Sequence, residues 1–83
     1  MLDGKSILVT GATGSFGRAF VEHAIKKYKK IKRLVVFSRD ELKQHEMSTI
    51  YSTTKFPFLR YFIGDIRDKS RLTSALEDID YVV

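Results

Sequence analysis

The sequence predicts an α/β fold in which crossover helices connect a parallel sheet of strand order 3-2-1-4. Four short apolar runs recur along the 83 residues, stretches of helical periodicity lie between them, and a glycine-rich turn follows the first run. Such alternation builds a parallel sheet, and right-handed crossovers place the first strand between the second and the fourth. Since the sequence ends at the fourth, central run, we expect an incomplete fold with residues 1–83 as one N-terminal segment.

Two strands and a helix are predicted in the first half. KSILVT (residues 5–10) and RLVVFS (residues 33–38) are short apolar runs of the kind that is buried on both faces of a parallel sheet. Between them, from Ser15 to about Tyr28, apolar residues recur every four positions, which predicts an amphipathic helix. Its predicted apolar face carries Phe16, Phe20 and Ala24, flanked by Val21, Ile25 and Tyr28.

The second half begins with SRDE (residues 38–41), which has the spacing of a capping box with Ser38 as the cap. The helix that follows is expected to end at Phe56-Pro57, because proline disfavours helical geometry in the residue before it. Residues 58–63 are a third strand, Asp68 is expected to cap a third helix, and residues 81–83 begin a fourth strand. The predicted apolar face of the second helix carries Met47, Ile50, Tyr51 and Thr54.

The composition limits the classes of function. No run approaches the roughly 18 apolar residues of a membrane span, and the N-terminus lacks the pattern of a signal peptide. The absence of cysteine excludes disulfides and agrees with a cytoplasmic protein. His23 and His45 stand at no metal-ligand spacing, so no metal site is expected.

The net charge of +5 is concentrated in one segment. Six of the fifteen basic residues lie within residues 26–33, and the other nine nearly balance the ten acids. Such a run is typical of a solvated helix end, where cations suit the negative end of the helix dipole. We therefore predict no nucleic-acid partner, with anion or protein binding by this run as the alternative.

The motif that carries chemistry is TGATGSFG, residues 10–17, with glycines spaced G-x-x-G-x-x-G. Gly11 permits a tight turn out of the strand, Gly14 lets the backbone approach a pyrophosphate, and Gly17 permits close packing of the helix. The free amides of the first helical turn then hold the diphosphate, with the hydroxyls of Thr13 and Ser15 placed to add bonds. This motif between a strand and a helix predicts a dinucleotide site of the Rossmann fold.

The end of the second strand selects the cofactor. An acidic residue there favours NAD through the ribose 2′-hydroxyl, whereas arginine accommodates the 2′-phosphate of NADP. Arg39 and Lys43, spaced i, i+4, favour NADP over NAD. Asp40 and Glu41 leave two alternatives open, since they suit a helix start or a ribose acceptor.

The third strand ends in GDIRD, residues 64–68. Asp65 lies at the edge where ligands bind in parallel sheets and is placed to accept a hydrogen bond from an adenine amino group. A role in turn chemistry ahead of the third helix is equally consistent with the sequence.

The segment YSTTK (residues 51–55) has the Tyr-x-x-x-Lys spacing of a catalytic pair in which lysine lowers the tyrosine pKa. It falls at the end of the second predicted helix, on the adenosine side of the site, whereas a catalytic pair must approach the nicotinamide. We therefore interpret Tyr51 as a packing residue and the spacing as coincidental.

TGATGSFG together with SRDELKQHEM and RYFIGDIRDKSRL resembles the N-terminal segment of the extended short-chain dehydrogenase/reductases. Within them it is most similar to the bacterial inverting UDP-N-acetylglucosamine 4,6-dehydratases. The resemblance covers essentially the whole chain but about the first quarter of the family's usual length. Ala12, where most relatives are expected to have glycine, is a mild departure that leaves the glycine triplet intact.

The resemblance implies an enzyme whose NADP takes hydride from C4 of the sugar of UDP-N-acetylglucosamine and returns it at C6 after water is lost across C5 and C6. It also implies that no catalytic residue lies within these 83 positions and that the full-length enzyme is a homo-oligomer. The cofactor contacts that it implies are Thr13, Gly14, Ser15, Phe16 and Gly17 at the diphosphate, Arg39 and Lys43 at the 2′-phosphate with Ser38 and Asp40 adjacent, and Asp65 and Ile66 at the adenine.

Two alternatives remain open. The glycine motif is equally consistent with a related nucleotide-sugar epimerase or reductase. A non-catalytic nucleotide-binding or interaction module is the other alternative.

Overall fold

A computed structural model describes residues 2–83 as a four-stranded parallel sheet of order β3-β2-β1-β4 with three helices. The predicted fold class and strand order are confirmed. The elements in chain order are β1 Ser6–Thr10, α1 Ser15–Lys27, β2 Arg33–Ser38, α2 Glu41–Ile50, β3 Leu59–Ile63, α3 Lys69–Leu76 and β4 Tyr81–Val82.

The strand register brings the carboxyl ends of three strands to one edge of the sheet. Thr10 of β1 is opposite Phe37 of β2, and Ser38 is opposite Ile63 of β3. β4 pairs with β1 over two residues, and Val83 prolongs this contact because its carbonyl accepts hydrogen bonds from both the amide and the hydroxyl of Thr10. The loops that follow β1, β2 and β3 therefore meet at one place.

Hydrophobic packing covers both faces of the sheet, as the continuous apolar runs of β1 and β2 predict. The larger face joins Ile7, Val9 and Val36 to helices α1 and α2, which contribute Val21 and Met47. On the opposite face Leu8, Val35 and Phe37 pack against Ala75 of α3. Residues of the central strands are fully buried because helices lie on both sides of them.

The buried face of α1 agrees with the prediction at Val21, Ala24 and Ile25 and differs from it at Phe16. Phe16 is 74% exposed and Phe20 is only partly buried, whereas Gly17, Val21, Ala24 and Ile25 face the sheet. Periodicity alone allows either register, since the two faces differ by one residue. The close approach of Gly17 to the preceding turn decides it, and this rotates Phe16 towards solvent.

The predicted capping box is also wrong, because Asp40 and not Ser38 caps α2. The Asp40 carboxylate accepts a hydrogen bond from the Lys43 amide at 3.0 Å. Ser38 is still the last residue of β2, opposite Ile63, so its backbone cannot also begin the helix. The prediction that Asp68 caps α3 is confirmed by its bond to the Arg71 amide.

Helix α2 ends at Ile50, earlier than predicted, and its buried residues are Gln44 and Met47. Ile50 is 50% exposed and Thr54 is exposed, so the predicted apolar face is only partly correct. The Gln44 side-chain amide lies within hydrogen-bonding distance of the Ser38 carbonyl, the Ser38 hydroxyl and the Phe62 carbonyl, at 2.9–3.2 Å. The amide nitrogen therefore ties α2 to the ends of β2 and β3, whereas Gln44 Oε1 is buried without a hydrogen-bond partner among the described residues.

The basic segment lies at the opposite edge of the sheet from the carboxyl ends of the strands. Lys26 forms an ion pair with Glu22 at 2.9 Å, and the Lys27 ammonium lies 5.6 Å from the ring centre of Tyr28. The Lys30 and Lys32 backbones bond to Gly4 and Lys5 at the start of β1. Among residues 2–83, no helix is long and apolar enough to cross a membrane.

Candidate cofactor-binding site

An open cleft of about 620 Å³ lies where the carboxyl ends of β1, β2 and β3 meet. In parallel α/β sheets this edge is where ligands bind. The residues that line the cleft are Thr10, Gly11, Thr13, Gly14, Phe37, Ser38, Arg39, Lys43, Gly64, Asp65, Ile66 and Arg67.

The glycine turn forms one wall, and each glycine of the triplet has a distinct geometry. Gly11 has φ of +59°, a conformation that side-chain-bearing residues rarely adopt. The Gly14 amide bonds back to the Gly11 carbonyl at 3.0 Å, which closes the turn. A Cβ at Gly17 would lie 2.5 Å from Ala12 Cα, so this glycine lets α1 touch the turn itself.

The N-terminus of α1 begins at this wall and has free backbone amides as hydrogen-bond donors. Gly14 is the N-cap and offers no side chain to the amides of the first turn, and no acidic residue lies in that turn. The unpaired amides and the helix dipole together favour an anion. The turn therefore has the donors and the bare backbone surface that a diphosphate requires.

Three cations lie on the opposite wall: Arg39 after β2, Lys43 on α2 and Arg67 after β3. The Arg39 side chain is 72% exposed and the Arg67 side chain 78% exposed. Asp65 is the one carboxylate among the lining residues. The cleft is thus electropositive on both walls, through helix amides on one side and side chains on the other.

Asp65 is held by its cationic neighbours. Arg67 donates from Nε to Oδ1 at 3.1 Å and from Nη2 to Oδ2 at 2.8 Å, and the Arg67 amide donates to Oδ1 at 2.9 Å. Arg39 Nη1 lies 3.4 Å from Oδ2. The hydrogen bonds from Arg67, followed by the charges of Arg67 and Arg39, hold the pKa of Asp65 far below its usual value.

Ile66 adds apolar surface to this polar cleft, and Phe37 lies fully buried behind its wall. Phe37 stacks on Phe62 with ring centres 5.7 Å apart, and Ile66 is 59% exposed beside the cleft. A Cβ at Gly64 would come within 2.9 Å of the Phe37 ring, so glycine is required where β3 ends beside it. An exposed apolar side chain next to a carboxylate suits a flat heterocycle with a polar edge.

The structure brings together eight of the twelve residues predicted for the site. Gly11, Thr13, Gly14, Ser38, Arg39, Lys43, Asp65 and Ile66 line the cleft. Ser15, Phe16, Gly17 and Asp40 do not, because the first three begin α1 behind the turn and Asp40 faces its own helix. Their roles in binding stay predictions for all twelve.

Four lining residues were missed by the sequence reasoning: Thr10, Phe37, Gly64 and Arg67. Thr10 ends β1, Phe37 is the last residue but one of β2, and Gly64 follows β3. Their position at the carboxyl ends of the strands is by itself a usable signal. For Arg67 the signal was its place two residues after Asp65, a spacing at which a side chain can return to the carboxylate.

Tyr51 and Lys55 lie away from the cleft, as the interpretation of YSTTK requires. The chain leaves α2 at Tyr51, so the two residues do not share a helix. The Tyr51 ring packs 6.1 Å from that of Phe56, and its carbonyl accepts a hydrogen bond from the Tyr61 hydroxyl at 2.6 Å. Tyr51 is thus half-buried in packing beside β3. Within residues 2–83, no cluster of three or more potential metal ligands is found.

A family profile described as "Polysaccharide biosynthesis protein" matches residues 7–83. The chain belongs to this family. The matched residues include all twelve residues that line the cleft.

Relatives that are similar to this chain in sequence are named as nucleotide-sugar enzymes. The whole chain is 49% identical to UDP-N-acetylglucosamine 4,6-dehydratase (inverting) of Campylobacter jejuni strain 81-176 and 47% identical to the protein of that name from strain NCTC 11168. Over 94% of the chain it is 40% identical to UDP-glucose 4-epimerase of Rickettsia bellii. The chain spans about a quarter of the length of these relatives, 24% and 23%.

Two solved structures share the fold. Pen from Bacillus thuringiensis superposes with a TM-score of 0.87 at 35% identity, over 99% of this chain and 24% of that one. An NADPH-bound carbonyl reductase from chicken fatty liver superposes with a TM-score of 0.75 at 23% identity, over 98% and 36% of the two chains. The second likeness is evidence for the Rossmann fold alone.

Proposed function

We propose that this chain is the N-terminal, NADP-binding segment of a UDP-N-acetylglucosamine 4,6-dehydratase. The observation that carries the proposal is the cleft itself, in which an uncapped helix N-terminus behind a glycine turn faces Arg39, Lys43 and Arg67. The identity of 49% to a dehydratase over the whole chain supports the particular reaction.

The position of Asp40 supports NADP over NAD. Its carboxylate is engaged with the Lys43 amide at the head of α2, and it does not line the cleft. A ribose 2′-hydroxyl would therefore meet no acceptor from Asp40. Arg39 and Lys43 instead present two cations where a 2′-phosphate would lie.

The residues present fit the cofactor in three places. The Gly11–Gly14 turn and the first amides of α1 would hold the diphosphate, and a Cβ at Gly11 would meet no protein atom within 4 Å, so this glycine leaves open space beside the turn. Arg39 and Lys43 would bind the 2′-phosphate, with Ser38 beside them. Asp65 would accept from the adenine amino group while Ile66 packs on the ring.

When bound, NADP would supply the hydride acceptor and donor for the sugar. In our proposal these 83 residues fix the adenosine and diphosphate halves, and the groups that move protons and hold the sugar belong to sequence outside them. Self-association, a cytoplasmic location and the absence of nucleic-acid and membrane partners remain predictions.

Titration of the protein at its natural full length with NADP and NAD tests the cofactor. Loss of a charge-assisted hydrogen bond costs about 1.5–3 kcal/mol, so Arg39→Gln should weaken NADP binding roughly 10- to 100-fold and leave NAD binding nearly unchanged. Lys69→Gln, which removes an exposed cation outside the cleft, is the matched control. Equal affinity for NADP and NAD in the unaltered protein would contradict the assignment of NADP.

Mass spectrometry after incubation with UDP-N-acetylglucosamine tests the reaction. A dehydratase yields a product lighter by one water, whereas an epimerase yields an isomer of unchanged mass. The 40% identity to a UDP-glucose 4-epimerase makes the second outcome the specific alternative. Dinucleotide binding with no product from this or other UDP-sugars would favour the non-catalytic module.

A further inference from the structure

Asp65 has one weakly occupied acceptor position, and this has a consequence for cofactor recognition. Each carboxylate oxygen accepts about two hydrogen bonds. Oδ1 has two, from the amide and Nε of Arg67, at 2.9 and 3.1 Å. Oδ2 has one firm bond, from Arg67 Nη2 at 2.8 Å, with Arg67 Nε also 3.2 Å away.

Arg39 takes the remaining position on Oδ2, but at 3.4 Å and with 72% of its side chain exposed. A single, long ion pair with an exposed arginine is weak, because water and salt screen it. A phosphate offers arginine shorter bonds that form in pairs. An incoming anion can therefore displace Arg39 from Asp65, whereas the bidentate hydrogen bonds from Arg67 keep the carboxylate in place.

We propose that Arg39 and the adenine amino group bind the same position on Asp65 Oδ2 in turn. Arg39 occupies the position without ligand, and the amino group occupies it once Arg39 has bound the 2′-phosphate. Arg67 is the positioning residue that fixes the carboxylate throughout. This inference rests on the proposed function, since it takes the adenine and the 2′-phosphate to lie at Asp65 and Arg39. It adds that recognition of the adenine amino group by Asp65 and recognition of the 2′-phosphate by Arg39 depend on each other.

The consequence is a measurable coupling between two parts of the ligand. With NADP, Arg39 is engaged by phosphate and the amino group gains a bond to a charged acceptor, worth about tenfold in affinity or more. With NAD, Arg39 still occupies Oδ2, so the amino group gains little. Coupling of this kind is reciprocal, so the amino group must also raise the preference for the 2′-phosphate by the same factor.

Four ligands measure the coupling: NADP, NAD and their hypoxanthine analogues, in which a carbonyl replaces the amino group. Dissociation constants are measured by calorimetry on the full-length protein freed of bound nucleotide. We expect NADP to bind at least tenfold more tightly than its hypoxanthine analogue, and NAD to differ from its analogue by less than threefold. An equal ratio in the two pairs would overturn the inference, whereas failure of all four ligands to bind would overturn the proposed function itself.

Variants assign the effect to the two arginines. Arg39→Gln should leave the NAD and NADP pairs with similar ratios, because Oδ2 is then open in both. Arg67→Gln should lower the ratio of dissociation constants between NADP and its hypoxanthine analogue. Arg67→Lys should not restore this ratio, because lysine cannot form bidentate hydrogen bonds to the carboxylate. Lys69→Gln should leave all four constants unchanged, and melting curves verify that each variant is folded. Coupling that persists in Arg39→Gln, or a ratio unaltered in folded Arg67→Gln, would refute these roles.

Discussion

Replacement of Gly17 by alanine should destabilise the protein, because Gly17 packs on the glycine turn although it does not itself line the cleft. The added Cβ would lie 2.5 Å from Ala12 Cα and 2.7 Å from the Gly11 carbonyl oxygen, whereas carbon atoms pack at about 3.5–4.0 Å. Both neighbours are backbone atoms, so the start of α1 must move by about 1 Å. Overpacking of this kind costs up to about 3 kcal/mol, offset by about 1 kcal/mol of helix propensity.

The net cost of about 2 kcal/mol corresponds to a fall in Tm of about 3 °C, measured by circular dichroism on the full-length protein, because relatives are about four times as long as this chain and the shift falls with length. Gly14→Ala is the matched control, since its Cβ would lie 3.3 Å from the Gly11 carbonyl oxygen and its φ of −76° suits alanine. That variant should melt within about 1 °C of the unaltered protein yet bind dinucleotide more weakly. An unchanged Tm for Gly17→Ala would refute the contact between helix and turn.

Three further outcomes are expected. Asp40→Ala should lose about 1 kcal/mol of unfolding free energy, read from urea titration, because it removes the cap on the Lys43 amide, and Asp40→Asn should retain most of it. Gln44→Leu should cost about 1 kcal/mol in the same assay, since it removes a donor to the Ser38 hydroxyl and the Phe62 carbonyl, whereas the Ser38 carbonyl keeps its bond from the Gly64 amide. Burial, with a smaller effect of Tyr51, raises the pKa of Tyr61 from 10.0 to about 12. The stability that this shift provides is therefore complete below pH 10 and is lost as the pH rises to about 12, and Tyr61→Phe should flatten this alkaline fall in stability. A fall as steep in Tyr61→Phe would contradict the assignment.

The strands could be predicted from the sequence almost to the residue, because apolar runs buried on both faces leave little choice of position. β2 has the predicted bounds, and β1 and β3 each begin one residue later than predicted. The order of the sheet followed from the handedness of the crossovers. These features follow from local composition and from the general handedness of crossover connections, so one sequence is enough to predict them.

Helix faces were harder to predict because tertiary contacts choose among registers. Phe16 is the larger apolar side chain, yet the turn requires Gly17 to face inward, and Phe16 is exposed in consequence. In α2 the polar Gln44 is buried and Ile50 exposed, since Gln44 finds oxygen acceptors on two strands. Neither choice can be read from periodicity.

The site was predicted where position along a strand determines it, and missed where side-chain conformation does. Gly11, Arg39 and Asp65 follow the ends of β1, β2 and β3, and all three line the cleft. Arg67 lies there because its side chain folds back on Asp65. Sequence spacing permits this conformation but also permits an arginine turned to solvent.

The place of β1 in the middle of the sheet has a consequence for synthesis on the ribosome. β1 is made early, yet one of its two neighbours is β4, and the bond between the Ser6 amide and the Asp80 carboxylate spans 74 positions. At about 5–20 residues per second, roughly 4–15 s separate the appearance of these two groups. For that time the apolar edge of β1 is unpaired in the nascent chain, a period in which a chaperone would protect it from aggregation.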